Sequence, residues 1–120
     1  MKFHLDNTLP TNGEYFVFGS NLAGKHGGGA AKAALQFGAE LGSGIGLVGQ
    51  TYAIPTKDFY IYTLPIQHIK IYIDVFVKFT KDNLDKEFFI TRVGCGLAGF
   101  NDCDIAPMFS DCGDNCSFAH

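Results

Sequence analysis

The sequence has no surplus of basic residues. It contains 9 Lys and Arg against 12 Asp and Glu, which gives a formal net charge of −3. Proteins that hold nucleic acid by bulk electrostatics neutralise several phosphates with Lys and Arg side chains. The composition therefore excludes a partner bound through a broad basic surface, and we expect no bulk nucleic-acid binding.

Long hydrophobic segments are also missing. Lys70, Asp74 and Lys78 interrupt the best candidate, so no uncharged run approaches the length of a transmembrane helix. The first ten residues, MKFHLDNTLP, lack the apolar core of a signal peptide. We therefore expect a cytoplasmic protein without a membrane partner, whose four cysteines are reduced thiols.

The chain shows no internal repeat, low-complexity tract or linker, so we predict one domain over residues 1–120. Its 47% of hydrophobic residues is enough for a real core. Apolar runs bounded by glycine, proline or polar residues predict strands at 14–19, 50–56, 59–65, 87–94 and 115–119. Helix formers predict helices at 29–39 and after the N-cap candidates Asn101 and Asp102. Residues 42–50 are expected to be a glycine-rich loop.

Residues 66–83 fit two patterns. Ile66, Ile69, Ile73 and Phe76 form a helical face, whereas the apolar residues between 69 and 79 also alternate as in a strand. The length of the segment favours a helix. Strand, glycine loop and helix then recur twice, which is typical of an α/β layered domain that binds ligands at the carboxyl ends of its strands.

The first glycine loop, GSNLAGKH at residues 19–26, nearly satisfies the nucleotide-binding pattern GxxxxGK[ST]. That pattern needs a hydroxyl for magnesium where this chain has His26, and a helix that starts at the lysine. The three glycines after His26 discourage such a start. A P-loop-like nucleotide-binding protein is therefore a minor alternative, and the dinucleotide pattern GxGxxG is absent at this position.

Consecutive glycines before a helix suit an anion site. They leave amide N–H groups free to point at a phosphate, and the helix N-terminus adds its dipole. A second glycine loop, residues 94–99, follows another predicted strand. Two such loops would clamp a diphosphate between them. The alternative is that the glycines form tight turns and allow close packing of helix and sheet.

Three segments carry a resemblance to a known family. SNLAGKHGGGAAKAALQFGA resembles the first ligand loop and helix of macrodomains. ITRVGCGLAGF followed by DIAPMF resembles the second loop and helix of the branch that includes the terminal ADP-ribose glycohydrolase, and YAIPTKD resembles its middle strand. The GCGL motif is the most specific of these matches, and the resemblance covers residues 15–120.

This resemblance implies a three-layer α/β/α domain with a mixed sheet that binds ADP-ribose, an ADP-ribosylated substrate or a related NAD-derived nucleotide. It implies that Asn21 lies near the distal ribose and that Lys57 is the nucleophile of the glycohydrolase branch. The residues that it implies for the two diphosphate loops are Gly27, Gly28, Gly29, Gly94, Cys95, Gly96, Leu97 and Gly99. No metal or cofactor is required.

One position departs from the branch. Its catalytic aspartate directly follows GCGL, where this chain has Ala98. A methyl group cannot activate a hydroxyl or stabilise a sugar cation, although Asp102 and Asp104 follow in the next predicted helix. Two alternatives therefore stay open, an ADP-ribosyl hydrolase and a non-catalytic reader or sponge of an ADP-ribose-based signal.

Several single residues have a functional and a structural interpretation. His26 is a candidate acid, base or ligand contact, or else it structures its loop. Phe100, directly after the second loop, is the best-placed aromatic residue to stack on a base, ahead of Tyr52 and Phe109; core positions are the alternative for all three. A zinc site built from Cys103, Cys112, Cys116 and His120 is an alternative to free thiols, although its spacing is looser than that of most structural zinc sites.

Overall fold

A mixed sheet of six strands organises residues 2–96 and 98–119, the part of the chain that the computed structural model describes. The strands are β1 (Lys2–His4), β2 (Tyr15–Asn21), β3 (Gly46–Val48), β4 (Thr51–Lys57), β5 (Phe88–Ile90) and β6 (Cys116–Ala119). Their order across the sheet is β1-β6-β5-β2-β4-β3. The pair β3–β4 is antiparallel and the others are parallel.

Helices cover both faces of this sheet. They are α1 (Gly29–Ala34), α2 (Ile66–Asp82) and α3 (Asp102–Ile105), with 3₁₀ turns at Leu35–Phe37 and Ala106–Phe109. Val17 of β2 packs in a cluster with α2, whereas its neighbours Phe16 and Phe18 pack in a second cluster with α1. Successive side chains of a strand point to opposite faces, so β2 is buried on both sides. The predicted single α/β domain is confirmed.

Helix α2 resolves the ambiguous segment. Its inner face buries Ile69, Ile73 and Phe76, each with no exposed surface. Burying one such side chain stabilises the fold by about 1.5–3 kcal/mol. The alternative strand pattern used Ile71 and Val75, and both of these are exposed on the outer face. The prediction of a helix was therefore correct.

The prediction of a strand at residues 59–65 was wrong. This segment is a loop in which an isolated bridge joins Lys57 to Thr63. The carboxylate of Asp58 accepts hydrogen bonds from the amides of Tyr60 and Tyr62 at 2.8 and 3.0 Å. These bonds fold the chain back on itself and occupy amides that a sheet would need.

Other boundaries also differ from the predictions. The predicted loop at 42–50 contains strand β3, and β1 was not predicted at all. Helix α1 ends at Ala34, because a 3₁₀ turn follows and Gly38 adopts a left-handed conformation with φ 103°. The strand predicted at 87–94 is β5, which ends at Ile90. The predicted strands around β2, β4 and β6 are confirmed within two residues.

The sheet order sets the place of a ligand site. From β2 the chain moves to β4 on one side, and it later returns to β5 on the other side of β2. The connections that leave β2 and β4 therefore diverge at the carboxyl end of the sheet. Open α/β sheets bind ligands in the crevice at such a divergence.

Candidate functional site

A cavity of about 720 Å³ opens at the carboxyl ends of β2, β4 and β5. This volume lies in the range of small-molecule and cofactor sites. Most residues that the sequence predicted for a ligand site meet here. They are Asn21, Gly27, Gly28, Gly29, Lys57, Gly94, Cys95 and Gly96.

The first loop joins β2 to α1, and the side chain of Asn21 holds it in shape. Its Nδ2 donates to the carbonyl of Lys25 at 2.7 Å, and its Oδ1 accepts from the amide of Lys25 at 2.9 Å. The next amides, those of Gly27 and Gly28, have no acceptor among the described residues. A Cβ on Gly27 would meet no atom within 4 Å. The loop therefore presents bare backbone to the cavity.

Residues 42–44 form a second segment that packs against this loop. Gly42 donates its amide to the carbonyl of Gly24 at 2.9 Å, and the hydroxyl of Ser20 donates to the carbonyl of Gly44. A Cβ on Gly24 would lie 2.3 Å from the backbone of Gly42, and one on Gly44 would lie 1.9 Å from the carbonyl oxygen of Asn21. These glycines allow two backbones to touch, so the packing interpretation holds for them.

The second loop follows β5 and closes with short turn bonds. Gly99 donates its amide to the carbonyl of Gly96 at 3.0 Å, and Phe100 donates to the carbonyl of Gly94 at 2.8 Å. The amide of Gly96 has no acceptor among residues 2–96 and 98–119, and a Cβ there would meet nothing within 4 Å. Leu97, which was predicted for this loop, lies outside the described residues.

Two residues at the end of the second loop, Gly99 and Phe100, do not line the cavity. Phe100 packs against the α2-side cluster, so it is not the exposed stacking residue that the sequence predicted. Burial, together with the negative charge of Asp102, raises the pKa of the Cys95 thiol to about 11. A thiol with this pKa is protonated at neutral pH and is a weak nucleophile.

Two lysines line the cavity from different elements. Lys57 ends β4 and is half-buried, and Lys25 lies exposed in the first loop. Within the described residues neither ammonium forms a salt bridge. Both charges are therefore available to an anion in the cavity.

The carboxylates of α3 are engaged elsewhere. Asp102 accepts two hydrogen bonds from Arg92, at 2.9 and 2.8 Å, and these bonds hold the pKa of Asp102 below its ordinary value. Asp104 accepts from the amide of Asn101 at the start of α3. Neither aspartate lines the cavity. They therefore do not replace the carboxylate that is missing at Ala98.

His26 lies in the first loop but is turned away from the cavity. Its ring is buried edge-on against Phe18, and its Nε2 lies 2.8 Å from the carbonyl oxygen of Glu40. Because a carbonyl can only accept, Nε2 carries the proton and donates. Its Nδ1 is buried with no partner among the described residues. The structure gives His26 the loop-structuring role, and the prediction of an acid or base is not supported.

The sequence did not predict the wall formed by the N-terminal segment. His4, Asp6, Asn7, Thr8 and Leu9 line the cavity between β1 and β2. The segment is fixed by stacking of the His4 ring on Phe89, with ring centroids 3.6 Å apart, and by a 3.4 Å contact between Asp6 and Arg92. Thr91 and Arg92 also line the cavity. They directly follow β5, but the sequence predicted that this strand extends to residue 94 and so did not place them at its end.

The other candidates do not form a site. Tyr52 packs between Phe76 and Phe79 in the core, and Phe109 is buried beside Phe118. The four cysteines are free thiols, and within residues 2–96 and 98–119 no group of three His, Cys, Asp or Glu side chains could hold a metal ion. His120, the fourth ligand of the zinc hypothesis, lies outside these residues.

The loop also differs from a P-loop. In that motif the helix begins at the lysine, whereas α1 begins at Gly29, four positions after Lys25. Helix α1 is six residues long, so its dipole adds less to anion binding than the sequence suggested. The loop amides that lack an acceptor among the described residues and the two lysines remain as groups that can contact an anion.

None of the described helices has the length and apolar character needed to cross a bilayer. No family model, no curated protein and no solved structure matches the chain. The geometry of the cavity is therefore the basis for a functional proposal.

Proposed function

We propose that the protein binds ADP-ribose or a related NAD-derived nucleotide in this cavity, and that its sheet and helices form a three-layer domain of macrodomain type. The observation that carries the proposal is that both glycine loops open onto one cavity beside Lys57. The resemblance drawn from the sequence assigned these segments to one ligand, although they lie far apart in the chain.

The diphosphate is proposed to lie between the two loops. Gly27, Gly28 and Gly96 line the cavity, and their amides have no acceptor among the described residues. Successive backbone amides of this kind form anion-binding concavities. Lys25 and Lys57 add positive charge at the wall. This arrangement binds a phosphate through a few directed groups, which is compatible with an acidic protein.

The ends of the ligand are proposed to use the remaining walls. Leu9, Ala30 and Ala33 are apolar residues of the cavity lining, and apolar walls suit the faces of a base. Asn21 is placed by the resemblance near the distal ribose. Its amide retains one N–H and further acceptor capacity beyond its two bonds to Lys25.

Hydrolysis of an ADP-ribosyl linkage is the second candidate function, and the position of Lys57 on the cavity wall favours it. In this candidate function the unprotonated amine of Lys57 would attack the anomeric carbon and displace the linked group, and water would then release ADP-ribose from the lysine. Against it stands the engagement of Asp102 and Asp104 in other bonds. The structure therefore supports a reader or sponge better than it supports a hydrolase.

Calorimetric titration of the purified protein with ADP-ribose, beside ATP with magnesium, tests the proposal. We expect ADP-ribose to bind and ATP–magnesium not to bind. Binding of ATP–magnesium alone, or of neither ligand, would contradict the proposal. If ADP-ribose binds, incubation with an ADP-ribosylated protein tests hydrolysis: release of ADP-ribose that is lost in Lys57→Ala establishes the enzyme, and no release establishes the reader.

A further inference from the structure

The loop that follows Lys57 combines exposed aromatic side chains with a rigid backbone at the mouth of the cavity. We call residues 58–62 the rim loop. Ile61 of this loop lines the cavity together with Lys57. The rim loop therefore borders the part of the cavity where the proposed nucleophile lies.

Its other large side chains face solvent. Phe59 is 66% exposed, Tyr60 81% and Tyr62 71%. Surface loops are usually built from polar residues, glycine and proline. Contiguous exposed apolar residues next to a ligand cavity are typical of an interaction site. Tyrosine and other aromatic residues are also enriched where proteins bind one another.

The rim loop is braced, so these side chains are presented on a fixed backbone. Asp58 accepts from the amides of Tyr60 and Tyr62 at 2.8 and 3.0 Å, and the amide of Asp58 donates to the carbonyl of Tyr62 at 2.8 Å. Thr63 ties the base of the loop to the second glycine loop by donating to the carbonyl of Ala98 at 3.2 Å. A preformed loop loses little conformational entropy when it binds.

The conformation of Ile61 points to a role for its side chain. Its φ is 67°, in the left-handed region that β-branched residues avoid. Glycine is the default residue for such a position. Strained positions of this kind persist where the surroundings enforce them, and they cluster at binding sites. Here the bonds of Asp58 enforce it, and Ile61 lines the cavity.

The charges around the rim loop decide what kind of partner fits. Its one charged residue, Asp58, is occupied by the loop amides. Lys25 and Lys57 line the cavity, and Arg92 is paired with Asp102 and Asp6. A nucleic-acid strand would need cations for its phosphates, and residues 58–62 contain no Lys or Arg. An apolar protein surface needs no such charges.

From these observations we infer that the rim loop docks the protein to which an ADP-ribosyl group is attached, and that it selects carriers with apolar residues beside the modified side chain. This inference rests on the proposed function, because the ADP-ribosyl group occupies the cavity while the rim loop contacts its carrier. It adds a substrate class to that function, an ADP-ribosylated protein with an apolar neighbourhood.

The test compares four ligands by titration. They are free ADP-ribose, a peptide carrying ADP-ribose through a hydrolysis-resistant linkage between leucine residues, the same peptide with serine residues, and an oligonucleotide carrying ADP-ribose on a base. We expect the leucine peptide to bind about tenfold more tightly than the serine peptide and free ADP-ribose. The ratio of the two peptide affinities should change little with salt, because both peptides carry the same diphosphate and differ only in uncharged side chains.

The variant Phe59→Ser/Tyr60→Ser/Tyr62→Ser should reduce the affinity for the leucine peptide to that for the serine peptide and leave the affinity for free ADP-ribose unchanged. Tyr60→Ser alone should lose part of the affinity for the leucine peptide. The Tyr60 side chain is so exposed that its replacement should not affect folding. The matched control is Ile71→Ser/Val75→Ser, which removes exposed apolar residues from α2 and should retain the preference.

The outcomes separate the two proposals. If free ADP-ribose does not bind, the proposed function fails and this inference fails with it. If free ADP-ribose binds but both peptides bind equally, only the rim-loop inference is overturned. It is also overturned if the oligonucleotide binds more tightly than the leucine peptide, or if sedimentation shows that the rim loop joins two copies of the chain.

Discussion

Two groups of glycines in this molecule use the missing side chain in opposite ways. Gly24, Gly42 and Gly44 bring two backbones into contact behind the first loop, where a Cβ on Gly24 or Gly44 would overlap main-chain atoms. Gly27 and Gly96 line the cavity, and a Cβ there would meet none of the described atoms within 4 Å. In the first group glycine makes room for protein, and in the second it leaves room for a ligand. The sequence allowed both uses but did not show which glycine serves which.

The first group predicts the largest loss of stability. Gly24→Ala combines a left-handed backbone, with φ 69°, and a Cβ 2.3 Å from Gly42. We expect a loss of about 3 kcal/mol, which for a domain of this size lowers Tm by roughly 10 °C. Gly42→Ala is the control, because φ is 89° there but no atom lies within 4 Å of its Cβ. Equal losses in the two variants, measured by denaturant unfolding, would show that the close contact contributes nothing.

The second group predicts a loss of binding without a loss of stability. Gly96→Val places a branched side chain in the cavity, at a backbone conformation open to any residue. We expect the affinity for ADP-ribose to fall about 100-fold, while the free energy of unfolding changes by no more than about 0.5 kcal/mol. The affinity of Gly96→Ala, which has a smaller side chain, should lie between that of the wild type and that of Gly96→Val. If Gly96→Val binds as the wild type does, the ligand does not approach this loop.

Asn21 has a structural and a cavity-lining role, since its side chain holds the first loop in shape and the residue lines the cavity. Asn21→Ala removes both bonds to Lys25, and we expect a loss of stability of about 1–2 kcal/mol. Affinity should fall about tenfold, because the loop amides lose their fixed positions. Asn21→Asp keeps the acceptor for the amide of Lys25 and removes the donor. An Asn21→Ala variant with normal affinity would mean that the loop is held by its supporting segment alone.

The sequence predicted those parts of the fold whose signal is local and strong. The buried strands β2 and β4 contain the apolar runs FVF and YAI, and α2 is long enough for its helical face to be recognised. Because these strands are parallel neighbours, their carboxyl ends meet at one edge. The location of the cavity therefore followed from the positions of two strands and two glycine loops.

The missed parts depend on contacts between distant segments. Strands β1 and β3 have three residues each, too few for a pattern, and they form only because a neighbouring strand pairs with them. The wall around Asp6 depends in the same way on Arg92, 86 positions away. His26 was placed correctly in its loop, but its direction is set by Phe18 and the carbonyl of Glu40. No local pattern encodes these contacts.

Cys95 tests whether the second loop binds through its backbone. The thiol is half-buried, its Sγ lies 3.6 Å from the carbonyl oxygen of Val93, and its pKa is raised to about 11. Cys95→Ala keeps the backbone, so affinity for ADP-ribose should stay within about threefold of the wild type. At neutral pH, mass spectrometry should show that iodoacetamide alkylates the exposed Cys103 before Cys95. A much larger loss of affinity would give the thiol a direct part in binding.

The smallest expected effect concerns pH and the N-terminal wall. Burial is the main reason that the pKa of His4 lies below its ordinary value of 6.5. Nδ1 of its ring lies 2.6 Å from Oγ of Ser117, and the ring stacks on Phe89. A lowered pKa means that the unfolded chain binds a proton more readily than the folded one. The contribution of His4 to stability is therefore complete above pH 6.5 and decreases as the pH falls through the pKa of the folded state.

In His4→Gln this decrease should be absent. The free energy of unfolding, measured with denaturant between neutral and mildly acidic pH, should therefore depend less steeply on pH than in the wild type. An unchanged slope would assign the pH dependence to other groups and leave His4 as a packing residue of the cavity wall.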